Sequence, residues 1–238
     1  MVLFQKLAAE YLGTMFLVGV GTGAMVGVMA FQGDTAQLTI ALGFGLALML
    51  GLYALAGISG GHFNPAVSLA AFLDRRIGLT DMLAYWVAQV AGGLTASALL
   101  AWVYNREIIA QTTTSPGGLS ELAGFFTEAA LTAVFIFAIL VLAKSQAHTK
   151  FIGMGVALAT VHLVGIPLTG ASVNPARTFA PALVGGTLDG FWIYIAGPAL
   201  GAIIAWALYK IVVEGDLKLG DDLMAVKDSA VGEVKETL

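Results

Sequence analysis

The sequence predicts an all-α membrane protein, with six transmembrane helices and two re-entrant half-helices arranged as an inverted repeat. Composition is the first reason: 58% of the 238 residues are hydrophobic and only 11% are charged, whereas soluble domains carry about 25% charged residues. The second reason is a repeated signal, because an Asn-Pro pair begins a short apolar segment at Asn64 and again at Asn174.

Six long apolar segments predict the transmembrane helices. They cover residues 4–31, 36–57, 82–104, 121–143, 151–168 and 190–213. About 20 helical residues, rising 1.5 Å each, cross about 30 Å of hydrocarbon. The first segment is too long for the apolar core of a signal peptide and lacks a clear cleavage site, so we expect it to remain as the first span.

Two shorter apolar segments, at 65–73 and 175–184, predict half-helices. Asn is a preferred residue at the N-cap of a helix, and Pro is favoured at the first helical position. About 10 helical residues extend about 15 Å, which is half of the bilayer. Each segment is therefore expected to enter the membrane from one side and stop near the midplane, with the preceding backbone buried or lining a wet cavity.

The two halves of the chain predict an inverted repeat. Each half contains three spans, a half-helix and one intramembrane carboxylate, Glu10 or Glu128, and the two Asn residues lie 174 − 64 = 110 positions apart. A unit with three spans ends on the side opposite to its start, so the second copy enters upside down. We expect one transmembrane domain at 1–213, with halves of about 1–110 and 120–213, followed by a charged, solvated tail at 214–238.

Basic residues predict the orientation of the spans. Those that flank spans on one side are Lys6, Arg75, Arg76, Lys144, Lys150 and Lys210. The loops on the other side contribute only Arg106. Because cytoplasmic loops are enriched in Lys and Arg, both termini and the tail are expected to be cytoplasmic in a multi-pass protein of the cell membrane.

The half-helices also predict a polar path through the membrane. Their N-termini meet near the midplane, and each presents about half a positive charge. If the Asn carbonyl caps its own helix, the amide NH₂ group is free to bind a passing water oxygen. The preceding residues are expected to be extended and to offer a ladder of carbonyl acceptors: Gly60, Gly61, His62 and Phe63 in the first half, and Gly170, Ala171, Ser172 and Val173 in the second.

Other classes of protein are less compatible with the sequence. The absence of cysteine excludes disulfides, thiolate metal sites and cysteine nucleophiles. Neither a Ser/His or paired-Asp arrangement nor a cluster of metal ligands stands out, so we expect no enzyme, no cofactor and no nucleic-acid partner. A secondary transporter can also use inverted repeats and broken helices. It remains an alternative that saturable, gradient-driven flux would favour.

The paired boxes Asn64-Pro65-Ala66 and Asn174-Pro175-Ala176, with Arg177 after the second, resemble those of the aquaporin (major intrinsic protein) family. The resemblance covers residues of about 4–213. It implies a passive water channel that excludes protons and ions, and a homotetramer with one pore in each subunit. It also implies that Glu10 and Glu128 brace the re-entrant loops, with a proton relay as the rival role.

Position relative to the boxes implies a selectivity filter of Phe44, His162, Ala171 and Arg177. The first, second and fourth of these resemble the water-selective prokaryotic subgroup. Thr178 follows the arginine, where glycerol facilitators of the family tend to carry Asp. Ala171 departs from the Thr or Cys found in many water channels and widens the filter. A glycerol or ammonia facilitator is therefore the alternative within the family.

Overall fold

The computed structural model describes residues 2–31, 35–215 and 219–237. Within them, ten α-helices follow one another: α1 (Leu3–Phe31), α2 (Ala36–Ser59), α3 (Pro65–Leu73), α4 (Leu79–Val103), α5 (Arg106–Gln111), α6 (Glu121–Ala143), α7 (Lys150–Thr169), α8 (Pro175–Gly185), α9 (Ile193–Tyr209) and α10 (Leu219–Thr237). A π-helical turn, Lys210–Glu214, continues α9. The predicted all-α fold is confirmed.

Six of these helices are long and apolar enough to cross a membrane. They cover Leu3–Met29, Ala36–Ser59, Leu79–Val103, Glu121–Ala143, Lys150–Thr169 and Ile193–Glu214. Each agrees with one predicted segment, and the bounds differ by at most three residues. The chain is therefore an integral, multi-pass membrane protein.

The half-helices α3 and α8 begin at the two Asn-Pro pairs. Asn64 Oδ1 accepts a hydrogen bond from the Ala66 N–H at 2.8 Å. Asn174 Oδ1 accepts from the N–H groups of Ala176 at 3.0 Å and Arg177 at 3.3 Å. Each side chain thus satisfies backbone donors that the first turn of a helix leaves free, and this is why both helices start inside the membrane.

The two halves pack in the same way. In the first half α1 lies between α2 and α4, and in the second half α6 lies between α7 and α9. A Cβ atom added at Gly92 of α4 would overlap the carbonyl of Tyr11, and one added at Gly201 of α9 would overlap that of Ala129. These glycines lie against the residues that follow Glu10 and Glu128. Close glycine contacts therefore hold each intramembrane carboxylate at the same place in its half.

The tail, which was predicted as a charged and solvated end, is largely helical and mostly exposed. Residues 219–237 form α10, which packs against α3 and α4, while residues 216–218 and 238 lie outside the described residues. Arg75 donates to Asp222 at 3.0 Å. Glu233 accepts from the backbone N–H of Thr80 at 3.0 Å, in the first turn of α4. The acidic residues of the tail find cationic and N–H partners at this end of the bundle.

Candidate pore and selectivity filter

The loops before α3 and α8 meet end to end inside the molecule. Asn64 Nδ2 donates to the Val173 carbonyl at 2.8 Å, and Asn174 Nδ2 donates to the Phe63 carbonyl at 2.9 Å. Each Asn therefore caps its own helix with its oxygen and binds the opposite loop with one of its two N–H groups. One N–H per Asn remains for another ligand, rather than the free NH₂ group expected from the sequence.

The expectation that both loops are extended was wrong. Left-handed φ values occur at Gly60 (94°), Gly61 (70°) and Phe63 (50°) in the first loop. The second loop repeats this pattern, with left-handed values at Gly170 (79°), Ala171 (49°) and Val173 (45°). Left-handed glycines end α2 and α7, as they do in many helices. The non-glycine residues are strained by about 1–3 kcal/mol each, so the surroundings must hold the loops in place.

Glu128 holds the second loop. Its Oε1 atom accepts from Thr169 Oγ1 at 2.6 Å and from the Ser172 N–H at 2.9 Å, while Oε2 accepts from the Val173 N–H at 2.9 Å. The residue is fully buried. A carboxylate that accepts several hydrogen bonds is a strong local constraint, and here it is placed directly on the strained part of the loop.

Glu10 occupies the equivalent position in the first half. It accepts from Ser59 Oγ at 2.6 Å and from the N–H groups of His62 at 2.9 Å and Phe63 at 2.7 Å. A further donor, Gln89 Nε2 at 2.7 Å, was missed in the sequence. A polar side chain within the apolar span 82–104 was the signal that could have identified it, because buried polar groups require partners.

Three of the four predicted filter residues lie together. The rings of Phe44 and His162 stack with centroids 4.6 Å apart, and Arg177 Cζ lies 4.8 Å from the centre of the Phe44 ring. All three are at most 2% exposed. Ala171 is not among the described residues that line the small cavity, here called the constriction, beside these three side chains. Its Cβ lies close to Gly165 in α7.

The polar atoms of this cluster have defined roles. His162 Nδ1 lies 2.9 Å from the Leu158 carbonyl, and a carbonyl only accepts, so Nδ1 carries a proton. Arg177 Nη2 donates to the Gly170 carbonyl at 3.3 Å. Within the described residues, His162 Nε2 and the Nε and Nη1 atoms of Arg177 are buried without a hydrogen-bond partner. In a neutral imidazole the first is an acceptor, and the other two are donors.

Two cavities lie along this path. The larger, of about 410 Å³, is lined by Gly60, Gly61, His62, Arg76 and Lys150, among others. The smaller, of about 10 Å³, is lined by the two box asparagines and by the cluster of Phe44, His162 and Arg177, among others. That volume is about the least that holds one water molecule. Among the described residues that line either cavity, no carboxylate occurs.

Two half-helices that meet inside a six-span bundle, with a polar path past their ends, define a membrane channel. The chain belongs to the Major intrinsic protein family, which it matches over residues 1–209, and the members of this family are channels rather than enzymes. The resemblance found in the sequence is thereby confirmed. The family match ends before the π-helical turn and α10.

Proteins similar to this chain carry the names of both aquaporins and a glycerol uptake facilitator. The chain is 40% identical to "Aquaporin Z" of Brucella melitensis over 87% of this chain and 97% of the relative. It is 41% identical to "Glycerol uptake facilitator protein-like 6" of Lactiplantibacillus plantarum over 84% and 94%. The solved structure of the aquaglyceroporin from Plasmodium falciparum superposes with a TM-score of 0.82 at 23% identity, covering 89% of this chain and 97% of that one. This last likeness concerns the fold.

Proposed function

We propose that the protein is a passive water channel that excludes protons and ions. The observation that carries the proposal is the constriction of about 10 Å³ beside Phe44, His162 and Arg177. That space is about the least that holds one water molecule, and glycerol, with its three-carbon chain, is the larger solute. The protein would then conduct water along osmotic gradients in single file.

Polar groups along the path replace the hydrogen bonds that water gives up. His162 Nε2 offers an acceptor, and Arg177 offers donors. At the midplane, the remaining N–H groups of Asn64 and Asn174 both donate to one water oxygen. Its hydrogens then point away along the pore, so a continuous chain for proton transfer is interrupted there.

Positive charge opposes the passage of cations. The N-termini of α3 and α8 each present about half a positive charge at the midplane. Arg177 adds a full charge that is not lost in proteins, and arginine and half-helix dipoles are the recognised barrier in aquaporin-type pores. We assign ion exclusion to these two features acting together.

We further propose that residues 1–213 form the channel domain, with repeat halves of about 1–110 and 120–213, in a homotetramer of the cell membrane. Strongly exposed apolar side chains, such as Val87 (73%) and Val134 (62%), are compatible with contact with lipid or a second subunit. Both termini are assigned to the cytoplasm. Ion pairs support this, because Lys144 and Lys210 both bind Glu214, and Lys210 and Arg75 both approach Asp222. Basic residues therefore gather at one end of the bundle, as they do on the cytoplasmic side of membrane proteins.

A glycerol or ammonia facilitator is the second candidate. The relative from Lactiplantibacillus plantarum carries glycerol uptake in its name, and Ala171 contributes no polar side chain to the filter. The two candidates differ in one measurable quantity, the ratio of glycerol permeability to water permeability.

Stopped-flow light scattering on proteoliposomes tests the proposal. Purified protein should conduct water far faster than glycerol or ammonia. His162→Gly should gain glycerol permeability and retain water flow, since it removes an imidazole from the constriction and leaves both asparagines in place. His148→Gly is the matched control, because it removes an exposed imidazole from the turn between α6 and α7.

Parent protein that already passes glycerol as fast as His162→Gly would contradict water selectivity and favour the facilitator. Saturable flux driven by an ion gradient would instead favour a secondary transporter.

A further inference from the structure

We propose that Thr114 and Thr178 are positioning residues that keep the filter narrow through a chain of hydroxyl groups. This inference rests on the proposed water-channel function, since it assigns what fixes the filter of that channel. Thr114 belongs to the segment between α5 and α6, and Thr178 follows Arg177 in α8.

The hydroxyl chain links three buried side chains. Thr114 Oγ1 lies 3.1 Å from Thr178 Oγ1, Thr178 Oγ1 donates to Ser172 Oγ at 2.5 Å, and Ser172 Oγ donates to the Asn174 carbonyl at 3.1 Å. The three residues are 8%, 2% and 1% exposed. Bulk water therefore does not reach Thr178 to replace a lost partner.

The direction of the chain follows from proton counting. A hydroxyl group has one proton to donate, and a carbonyl only accepts. Ser172 gives its proton to the Asn174 carbonyl, so it accepts from Thr178, whose own proton is then used. Thr114 must therefore donate to Thr178. The chain runs from the α5–α6 segment to the residue that caps α8, with each bond polarising the next.

The two ends of the hydroxyl chain, Thr114 and Ser172, both lie at the loop next to the predicted filter residue Arg177. Thr114 packs against Gly170, since a Cβ added there would lie 3.0–3.3 Å from three Thr114 atoms. The Gly170 carbonyl is the acceptor for Arg177 Nη2. Ser172 lines the constriction. The hydroxyl chain thus fastens the loop that holds the guanidinium to the helix that carries it.

Thr178→Val tests the role because it keeps the shape of the side chain and removes the hydroxyl. Thr114 loses the hydroxyl that accepts its proton, and Ser172 Oγ loses one donor but keeps its bond to the Asn174 carbonyl. A buried group left unpaired destabilises the arrangement. We expect the loop at 170–174 to loosen and the glycerol-to-water permeability ratio to rise about tenfold, with water flow retained.

Two further variants separate the hydroxyl from the side chain as a whole. Thr178→Ser keeps the hydroxyl and should keep the ratio of the parent. Thr114→Val breaks the first bond of the chain and should raise the ratio, and combining it with Thr178→Val should add nothing, since the residues act as a unit. If Thr178→Val does not fold, Thr114→Val and its combination with Thr178→Ser carry the test.

Matched controls are available in the chain. Thr132→Val changes a fully buried threonine whose hydroxyl has no hydrogen-bond partner within the described residues. Thr113→Val changes the neighbour of Thr114, whose hydroxyl donates to the Ala110 carbonyl at 2.8 Å. Both controls should keep the permeability ratio of the parent.

Three outcomes overturn the proposal. An unchanged ratio in folded Thr178→Val or Thr114→Val refutes it, and so does Thr178→Ser that behaves like the valine variant. Parent protein that passes glycerol and water equally fast refutes the proposed water selectivity itself, and the positioning role with it. The parent measurement therefore distinguishes the two failures.

Discussion

Replacing Glu128 with Gln tests whether a buried carboxylate holds the second re-entrant loop. Gln is nearly isosteric with Glu but has one acceptor oxygen instead of two. That oxygen retains the bonds from Thr169 Oγ1 and the Ser172 N–H. The new NH₂ group faces the Val173 N–H, so two donors oppose each other and the backbone N–H is left unpaired.

The magnitude follows from these contacts. A buried donor without a partner costs about 1–3 kcal/mol. The two retained bonds also weaken, because bonds to charged groups are worth about 1.5–3 kcal/mol and neutral ones about 0.5–1.5 kcal/mol. Removing a buried charge offsets this second loss. We therefore expect a net destabilisation of about 1–3 kcal/mol, similar to the strain of one left-handed residue such as Val173.

Thermal unfolding of the purified protein in detergent, followed by tryptophan fluorescence, measures this effect. The midpoint of Glu128→Gln should fall below that of the parent, and water permeability in proteoliposomes should fall with it. Glu107→Gln is the control, since it makes the same change at an exposed carboxylate. A midpoint of Glu128→Gln equal to those of the parent and the control would refute the bracing role. Proton conduction by the parent that is lost in Glu128→Gln, with water flow retained, would instead favour the proton relay, since a carboxamide cannot take up and release a proton.

Three further predictions concern charge, thiols and the tail. Arg177→Val should let protons or small cations leak while water still flows, and a proton leak equal to that of the parent, measured with a pH-sensitive dye in liposomes, would assign the barrier to the helix dipoles alone. Mercuric chloride should leave water flux unchanged, because the chain has no cysteine; a rapid block that thiols reverse would contradict this. Glu233→Ala should lower the free energy of unfolding by about 0.5–2 kcal/mol through loss of the bond to the Thr80 N–H. An unchanged midpoint of thermal unfolding would mean that this contact does not stabilise the protein.

The sequence predicted the spans and half-helices because their signals are local. An apolar run of about 20 residues has few alternatives in a membrane, and Asn-Pro specifies the first turn of α3 and α8 through capping and a fixed φ. The positions of the helices and the two Glu residues followed from the chain alone. The structure brings Phe44, His162 and Arg177 together. That these three side chains form a selectivity filter is still a prediction.

The features that the sequence missed depend on contacts between distant residues. The left-handed values at Phe63 and Val173 are set by the carboxylates and by the opposite loop, and no local pattern of β-branched or aromatic residues predicts them. The hydrogen bond from Asn64 Nδ2 to the Val173 carbonyl likewise depends on a residue in the other half of the chain. Helix α10 was missed because its composition is charged, and its partners lie some 150 residues earlier.

The contact between Glu233 and Thr80 has a consequence for how the protein is made. The N-cap of α4, Gly78, has no side chain to cap the helix. The carboxylate that binds the first turn, Glu233, follows its partner Thr80 by 153 residues. A ribosome therefore delivers α4 to the membrane long before its partner exists. During synthesis the first turn of α4 depends on water or lipid headgroups for its N–H groups, and it gains its final hydrogen bond only when the last helix docks.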